Sequence, residues 1–193
     1  LDAGAGRIGI TLGDGGRTLI AVTDDGCGMT EGDLALAVER HATSKLPDDD
    51  LGQIATLGFR GEALPSIGAV ARLTATSRPP GASSAWTIAV EGGVVMPPRP
   101  AAHPCGTRVE VRDLFFATPA RLKFLKSRQT EISHVIDVVQ RLAMARPSVA
   151  FSLTEEGRSL LSLAAVAAGG DAQAARRERL AAILGRDFGA HSV

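Results

Sequence analysis

The chain has 193 residues, 45% of them hydrophobic and 22% charged, with 21 basic side chains against 21 acidic ones. That composition suits a water-soluble domain with a sizeable core, and the zero net charge restricts any nucleic-acid surface to a local patch. No apolar run reaches the length of a membrane span, and two cysteines without a CxxC pair exclude a disulfide framework and point to a reducing cytoplasm.

The chain opens on "LDAGAG" without an initiator Met and closes on "DFGAHSV", so it reads as a piece of a longer protein. Ile8, Ile10 and Leu12 alternate with Gly9 and Thr11, and "GDGG" then turns the chain into "RTLIAVTDD", a β-hairpin whose second strand carries Ile20, Val22 and Asp24 on one face. Thr30 and Asp33 have the spacing of a capping box, with Met29 and Leu34 at the staple positions, and predict a helix running to about His41. Residues 43–61 are polar and glycine-bearing and read as a long loop. A short helix is expected over 62–70, with Pro65 tolerated in its first turn.

Strands are predicted at about 72–77, 84–90 and 107–112. From Thr130 to Arg146, Ile132, Val135, Ile136, Val139, Leu142 and Ala143 follow helical spacing, and Pro147 ends the run. Val149, Phe151 and Leu153 alternate in a further strand, paired through "EEG" with "RSLLSL". "AAVAAGGDA" resembles a linker, and "AQAARRERLAAILG" begins a new helix. Consecutive strands with short turns, interspersed with helices, predict an α+β sandwich: a mixed or antiparallel sheet with helices on one face.

Several stretches carry chemistry. Asp24 shares a strand face with Ile20 and Val22, so its carboxylate points toward the core, which is costly unless it is satisfied. It either accepts backbone N–H groups in its own turn or faces a pocket, where it would suit an exocyclic amine such as adenine N6. Gly26 and Gly28, in "DDGCG", allow backbone to approach a ligand.

In "GFRGEAL", Gly58, Phe59, Arg60 and Gly61 precede Glu62, Ala63 and Leu64 at the start of a helix. The motif is either a simple glycine turn or a place where unpaired helix N–H groups meet phosphate. Thr43, Ser44 and Lys45 of "HATSK" either end a helix or meet phosphates. Thr107 sits on the inward face of its strand, where its hydroxyl wants a partner, although threonine is also a good strand former.

Arg121, Lys123, Lys126 and Arg128 form a basic patch, either a solvated helix face or a DNA phosphate contact. Among the remaining groups, His103 and Cys105 fall short of a zinc ligand set, and no Walker A sequence occurs.

In their order, LDAGA, DDGCGM, HATSK, GFRGEAL and GTRVEVRDLF followed by PAR resemble the GHKL ATPases, and within them the MutL mismatch-repair group. The motifs run from Leu1 to about Arg128, and GFRGEAL with PAR is far more specific than the Asp-x-Gly-x-Gly element that gyrases, heat-shock chaperones and histidine kinases share. The resemblance implies a Bergerat-type ATP-binding domain over 1–165, lacking its N-terminal helix. Residues 166–193 would be a linker and the start of a second, ribosomal-protein-like subdomain.

It implies that Asp24 recognises adenine, that Gly28 admits the base and that Thr107 supports it. Thr43, Ser44, Lys45 and residues 58–64 would line the phosphates as part of a lid. The general-base Glu and the Asn that holds Mg²⁺ are expected upstream of Leu1, with no catalytic or metal residue in this chain, so the chain alone should be inactive. A Lys that reaches the γ-phosphate is expected beyond Val193. Ala117 stands where the family often has Asn.

The implied function is that of an ATP-binding and hydrolysing switch of DNA mismatch repair that dimerises on nucleotide binding. Its partners would be a MutS-type mismatch-recognition protein and DNA, bound largely without sequence preference, in a bacterial cytoplasm. A GHKL chaperone or kinase-like domain, and an inert interaction module, are the competing classes. GFRGEAL and PAR speak against the first, and the upstream Glu and Asn decide the second.

Overall fold

A computed structural model describes residues 1–40, 42, 61–167 and 171–185. The opening hairpin pairs β1 (Arg7–Gly13) with β2 (Leu19–Asp24). Its "GDGG" connection forms a one-turn 3₁₀ helix, Asp14–Gly16, and not the bare turn expected. Thr30 caps α1 (Glu31–Ala37) with both halves of the predicted capping box in place, and Leu34 is fully buried beneath it. The helix stops short of the expected end. Its last turn tightens to an i→i−3 bond, Glu39 N–H to Leu36 O at 3.0 Å, as Val38 turns into the core.

After α2 (Ala63–Gly68) come β3 (Arg72–Arg78) and β4 (Ala85–Glu91). Two short strands follow, β5 (Val94–Val95) and β6 (Arg99–Ala101), both missing from the sequence reading, and then β7 (Gly106–Arg112). Ser127 caps α3 (Arg128–Ala145) through Thr130 N–H at 3.2 Å. The hairpin of β8 (Ala150–Glu155) and β9 (Arg158–Leu163) leads to α4 (Ala172–Leu184). The strand order is β5-β4-β3-β7-β2-β1-β8-β9, with β6 pairing β4. Only β1 and β8 run parallel among these pairs, so the sheet is mixed and mostly antiparallel, as predicted.

Register decides which residues share a face, because side chains alternate along each strand. One face carries three rows. Val90, Leu73, Val111, Ile20, Leu12 and Glu155 form one end row, and Ile88, Ala75, Val109, Val22, Ile10 and Leu153 the middle row. Trp86, Ser77, Thr107, Asp24, Ile8 and Phe151 form the other end row. Among the described residues, α1, α2 and α3 pack against this inner face. The opposite face is a polar ladder in which Arg108 donates to Glu110 and Thr23, and Thr76 to Thr87.

The helices bury the inner face in two separate clusters. Leu34 and Val38 of α1 pack on Leu73, Ala75, Ile88 and Val90, with Leu64 and Ile67 of α2 at the margin. Val139 and Ala143 of α3 pack on Ile8, Ile10, Leu12, Phe151 and Leu153. Ile20 touches both clusters.

α4 is fastened to the α3 side by Arg179, which is 1% exposed. Its guanidinium Nη2 donates to the carbonyls of Pro147, Val149 and Ala164 at 2.7 to 2.8 Å. Burial pushes this guanidinium below its ordinary range, with nearby Glu178 opposing the shift.

Candidate functional site

Between the two clusters the inner face is open at Val22 among the described residues. Val22 is 37% exposed, although it sits on a central strand beside the buried Ile10. An apolar side chain left open there marks a gap between the α1 and α3 layers. At the end of the gap the apolar rows give way to three polar side chains on adjacent strands: Asp24 on β2, Thr107 on β7 and Ser77 on β3. The sheet thus gathers into one line residues that lie 24, 107 and 77 along the sequence.

Asp24 takes the first of the two roles read for it, the turn. Its Oδ1 accepts the Gly26 N–H at 2.9 Å, fixing the turn that follows β2. No cation pairs with it among the described residues.

The "DDGCG" turn is bound on several sides. Asp25 Oδ1 accepts the N–H groups of Gly6 and Arg7, both at 2.8 Å, and Cys27 N–H donates to Ala3 O at 3.0 Å. The "LDAGAG" segment therefore serves as a brace for the Asp24 turn. Gly28 has φ +63°, and a Cβ there would run into the Arg78 carbonyl. Its glycine is required by close backbone packing inside the fold, besides any approach of a ligand. Gly106 has φ +116° and is pressed in the same way against the Asp24 carbonyl, which locks β7 to the end of β2.

Thr107 is 8% exposed and Ser77 is fully buried. Ser77 Oγ accepts the Met29 N–H at 2.7 Å, lies 3.1 Å from Gly106 O and 2.9 Å from Thr107 Oγ1. Ser77 was not picked out from sequence. The available signal was its spacing: it follows Leu73 and Ala75 in inward register, as Asp24 follows Ile20 and Val22.

The phosphate-side candidates are only partly within view. Thr43, Ser44, Lys45, Gly58, Phe59 and Arg60 lie outside the described residues. Gly61, at φ +62°, presses on the Ala42 carbonyl, so the described residues that flank 43–60 meet each other. Glu62 occupies the N-cap of α2 but makes no side-chain capping bond, and Ala63 opens the helix. Leu64 packs against the α1 cluster and serves the core.

The basic patch divides. Arg121, Lys123 and Lys126 are exposed and carry no ion pair among the described residues, in a 3₁₀ turn at Pro119–Phe124 and just after it. Lys123 Nζ lies over the Phe124 ring at 5.2 Å. Arg128 is turned the other way. Its Nε donates to Glu155 Oε1 at 2.9 Å and its Nη2 to Glu156 Oε2 at 2.8 Å.

A separate cleft of about 520 Å³, lined by Arg78, Ser83, Ser84 and His103 among others, contains none of the three polar-row residues. His103 Nδ1 is occupied by Pro104 O at 2.8 Å, and no group of three or more His, Cys, Asp and Glu gathers for a metal among the described residues.

No family model matches the chain. It is 63% identical, over 97% of its length, to the DNA mismatch repair protein MutL of Paramagnetospirillum magneticum. Over its full length it is 62% identical to the MutL of Rhodospirillum rubrum. The chain spans 31% and 30% of these curated relatives. Among solved structures it superposes on the Aquifex aeolicus MutL ATPase domain complexed with ADP with a TM-score of 0.75, at 31% identity, covering 95% of this chain and 62% of that one.

The open mixed sheet, with its helices on one face, is a fold shared with that ATPase domain. Identity of this order along the whole chain narrows the class: the chain belongs to the MutL family of DNA mismatch repair proteins.

Proposed function

We propose that this chain is the nucleotide-binding part of an ATP-driven switch in DNA mismatch repair. The observation that carries the reading is the uncovered inner face over Val22, floored by Asp24 and Thr107, in a fold shared with a MutL ATPase domain that holds ADP. The gap opens between two apolar layers, which suits a flat base stacked over Val22 and Val109. Asp24 retains acceptor capacity for an exocyclic amine after it has taken the Gly26 N–H.

The phosphates extend toward Gly61–Leu64 and toward Thr43, Ser44, Lys45 and 58–60. Hydrolysis needs a base to orient water and Mg²⁺ to bridge the phosphates. The described residues form no metal-ligating cluster of three or more His, Cys, Asp and Glu. The base and the Mg²⁺ ligand belong to residues preceding Leu1 in this reading, with residues 1–165 as the ATP-binding domain and 166–193 leading into a second subdomain. Nucleotide binding would drive dimerisation, a MutS-type protein would supply the mismatch signal, and Arg121, Lys123 and Lys126 would contact DNA phosphates.

Titration of the protein at its full natural length with a fluorescent ATP analogue tests the reading, and saturable binding competed by ADP is expected. Absence of competition by ADP overturns it. A steady-state phosphate-release assay separates binding from hydrolysis: residues 1–193 alone should turn over negligibly, and the same stretch with its upstream residues should be active.

A further inference from the structure

The cleft of about 520 Å³ lies where the β3–β4 turn meets the connection from β6 to β7. Its volume is that of a small-molecule site. Arg78, Ser83, Ser84 and His103 are its polar side chains, no acid lines it, and alanines and Pro104 make up the rest.

Arg78 is a cation without an anion. Its Nε is buried and meets no acceptor, and its Nη2 lies 3.6 Å from the Cys105 thiol, a weak acceptor. No carboxylate pairs with it among the described residues. The base of the side chain is fixed: Arg78 pairs with Gly106 at the end of β3, and its carbonyl lies where a Cβ on Gly28 would go. A planar guanidinium on rigid backbone is suited to phosphate or carboxylate oxygens.

The other lining groups narrow the anion. A carboxylate fills its two in-plane oxygens on the guanidinium alone. Here Ser83 and Ser84 add exposed hydroxyls from the β3–β4 turn, and His103 adds a ring from the other connection, as a tetrahedral oxyanion can use. His103 also sets a proton count. Pro104 O can only accept, so the 2.8 Å contact places the ring proton on Nδ1. Nε2 of the neutral ring is then an acceptor and needs a ligand that brings a hydrogen. A phosphomonoester brings one, since the proton of its second ionisation makes the same bond whether phosphate or Nε2 holds it. A phosphodiester or a carboxylate ion brings none, and meets Nε2 only after the ring has taken a proton from water.

We propose that this cleft is a second ligand site, for a phosphomonoester. Arg78 clasps its oxygens, Ser83 and Ser84 donate to them, and His103 Nε2 shares the remaining proton. The inference stands apart from the nucleotide reading, because neither Asp24 nor Thr107 lines the cleft. The monoester belongs to a small molecule or to the 5′ end of a nucleic acid, and the probes separate these sources.

Cys105 reports occupancy, because its thiol is exposed and touches Arg78, and the exposed Cys27 of the Asp24 turn is the reference. Peptide mass spectrometry times alkylation of both cysteines in the protein at its full natural length, at constant ionic strength. The probes are phenyl phosphate, benzoate, and a thymidine dinucleotide with a 5′-phosphate or a 5′-hydroxyl. Phenyl phosphate should slow Cys105 alkylation severalfold and leave Cys27 unchanged. Benzoate and the 5′-hydroxyl dinucleotide should need about tenfold more for the same protection. Whichever phosphorylated probe protects at the lower concentration identifies the source.

Arg78→Gln should raise the half-protecting concentration of every probe about tenfold or more. His103→Ala should remove the advantage of monoester over diester. Circular dichroism checks folding. Should Arg78→Gln not fold, Ser83→Ala with Ser84→Ala, at exposed positions, should still weaken protection. The site is overturned by a Cys105 rate that neither phosphorylated probe moves, by equal protection from the 5′-hydroxyl dinucleotide, or by full protection in folded Arg78→Gln. Slowing at Cys27 alone also overturns it. None of these results touches the ATP titration, which tests the nucleotide reading by itself.

Discussion

Two carboxylates stand on the inner face of the sheet, at opposite ends of its rows, and their surroundings differ in one respect. Glu155 lies beside Leu12, is 7% exposed, and meets both the Gly15 N–H at 2.8 Å and the Arg128 guanidinium. Asp24 lies beside Ile8 and meets the N–H of its own turn, with no cation among the described residues. Burying an acid is tolerable once its charge and lone pairs are answered. At Glu155 the answer comes from within the fold, so the residue joins the 3₁₀ turn, β8 and the start of α3 into one corner. At Asp24 the answer from the described residues is the Gly26 N–H, which under the proposed function leaves acceptor capacity for a nucleotide. Position on an inward face makes both acids conspicuous, and the presence of a cation marks Glu155 as structural.

Substitution should separate them cleanly. Asp24→Asn replaces an acceptor with a donor facing the incoming amine and should weaken ATP by about tenfold to a hundredfold, with the melting temperature little changed. Nucleotide titration and thermal denaturation on the same preparations measure this, and unchanged affinity would remove Asp24 from the site.

Glu155→Gln should do the reverse. It keeps ATP affinity and lowers stability by about 1–3 kcal/mol through loss of the charge-assisted bond to Arg128. Denaturant unfolding gives the figure, and a loss of ATP binding without a loss of stability would contradict the assignment.

Acid should expose the same contrast on a smaller scale. The Arg128 hydrogen bond, seconded by Gly15 N–H and opposed by burial, holds the folded Glu155 carboxyl below its ordinary value of 4.5. Its contribution is therefore fully present above pH 4.5 and drains away as the pH falls from there toward the lowered folded value. Stability measured against pH should fall less steeply below that point in Glu155→Gln than in wild type, and parallel curves would mean that the pair contributes nothing.

The smallest effect applies the distinction to cations. Arg128 is engaged by Glu155 and Glu156, whereas Arg121, Lys123 and Lys126 have no ion pair among the described residues. Neutralising those three should weaken DNA binding similarly for all sequences and lower the salt slope by up to about 3. A slope as steep as before makes them a solvated surface.

Much of this was legible in the chain. The capping box of α1, the run of α3 and the inward register of Asp24 are local signals, fixed by side-chain periodicity and helix-end hydrogen bonding within a few residues. What escaped was non-local. Arg128 reads as a member of a basic cluster until β8 brings Glu155 beside it, and Arg179 reads as one charge in "RRER" until three carbonyls from separate segments surround it. Ser77 looks like strand filler in "LTATSR" until β7 places Thr107 next to it. β5 and β6 are too short for alternation to reveal, and the "GDGG" turn became helical because it must fit under the first turn of α3.

The strand order has a consequence for how the chain comes into being. Of the two strand pairs at issue, the β1–β2 hairpin is made before β7 and β8, and it ends at the centre of the sheet. Asp24 must wait for Thr107, and Arg7 for Ala150, before either flank of that hairpin is paired. At about 5–20 residues per second, this leaves two open strand edges for several seconds or longer during synthesis. Pairings so distant in sequence also form slowly once the chain is free, because the closure entropy must be met before the contacts exist. Nascent β1–β2 is thus the stretch on which a holding chaperone would act, or from which aggregation would start.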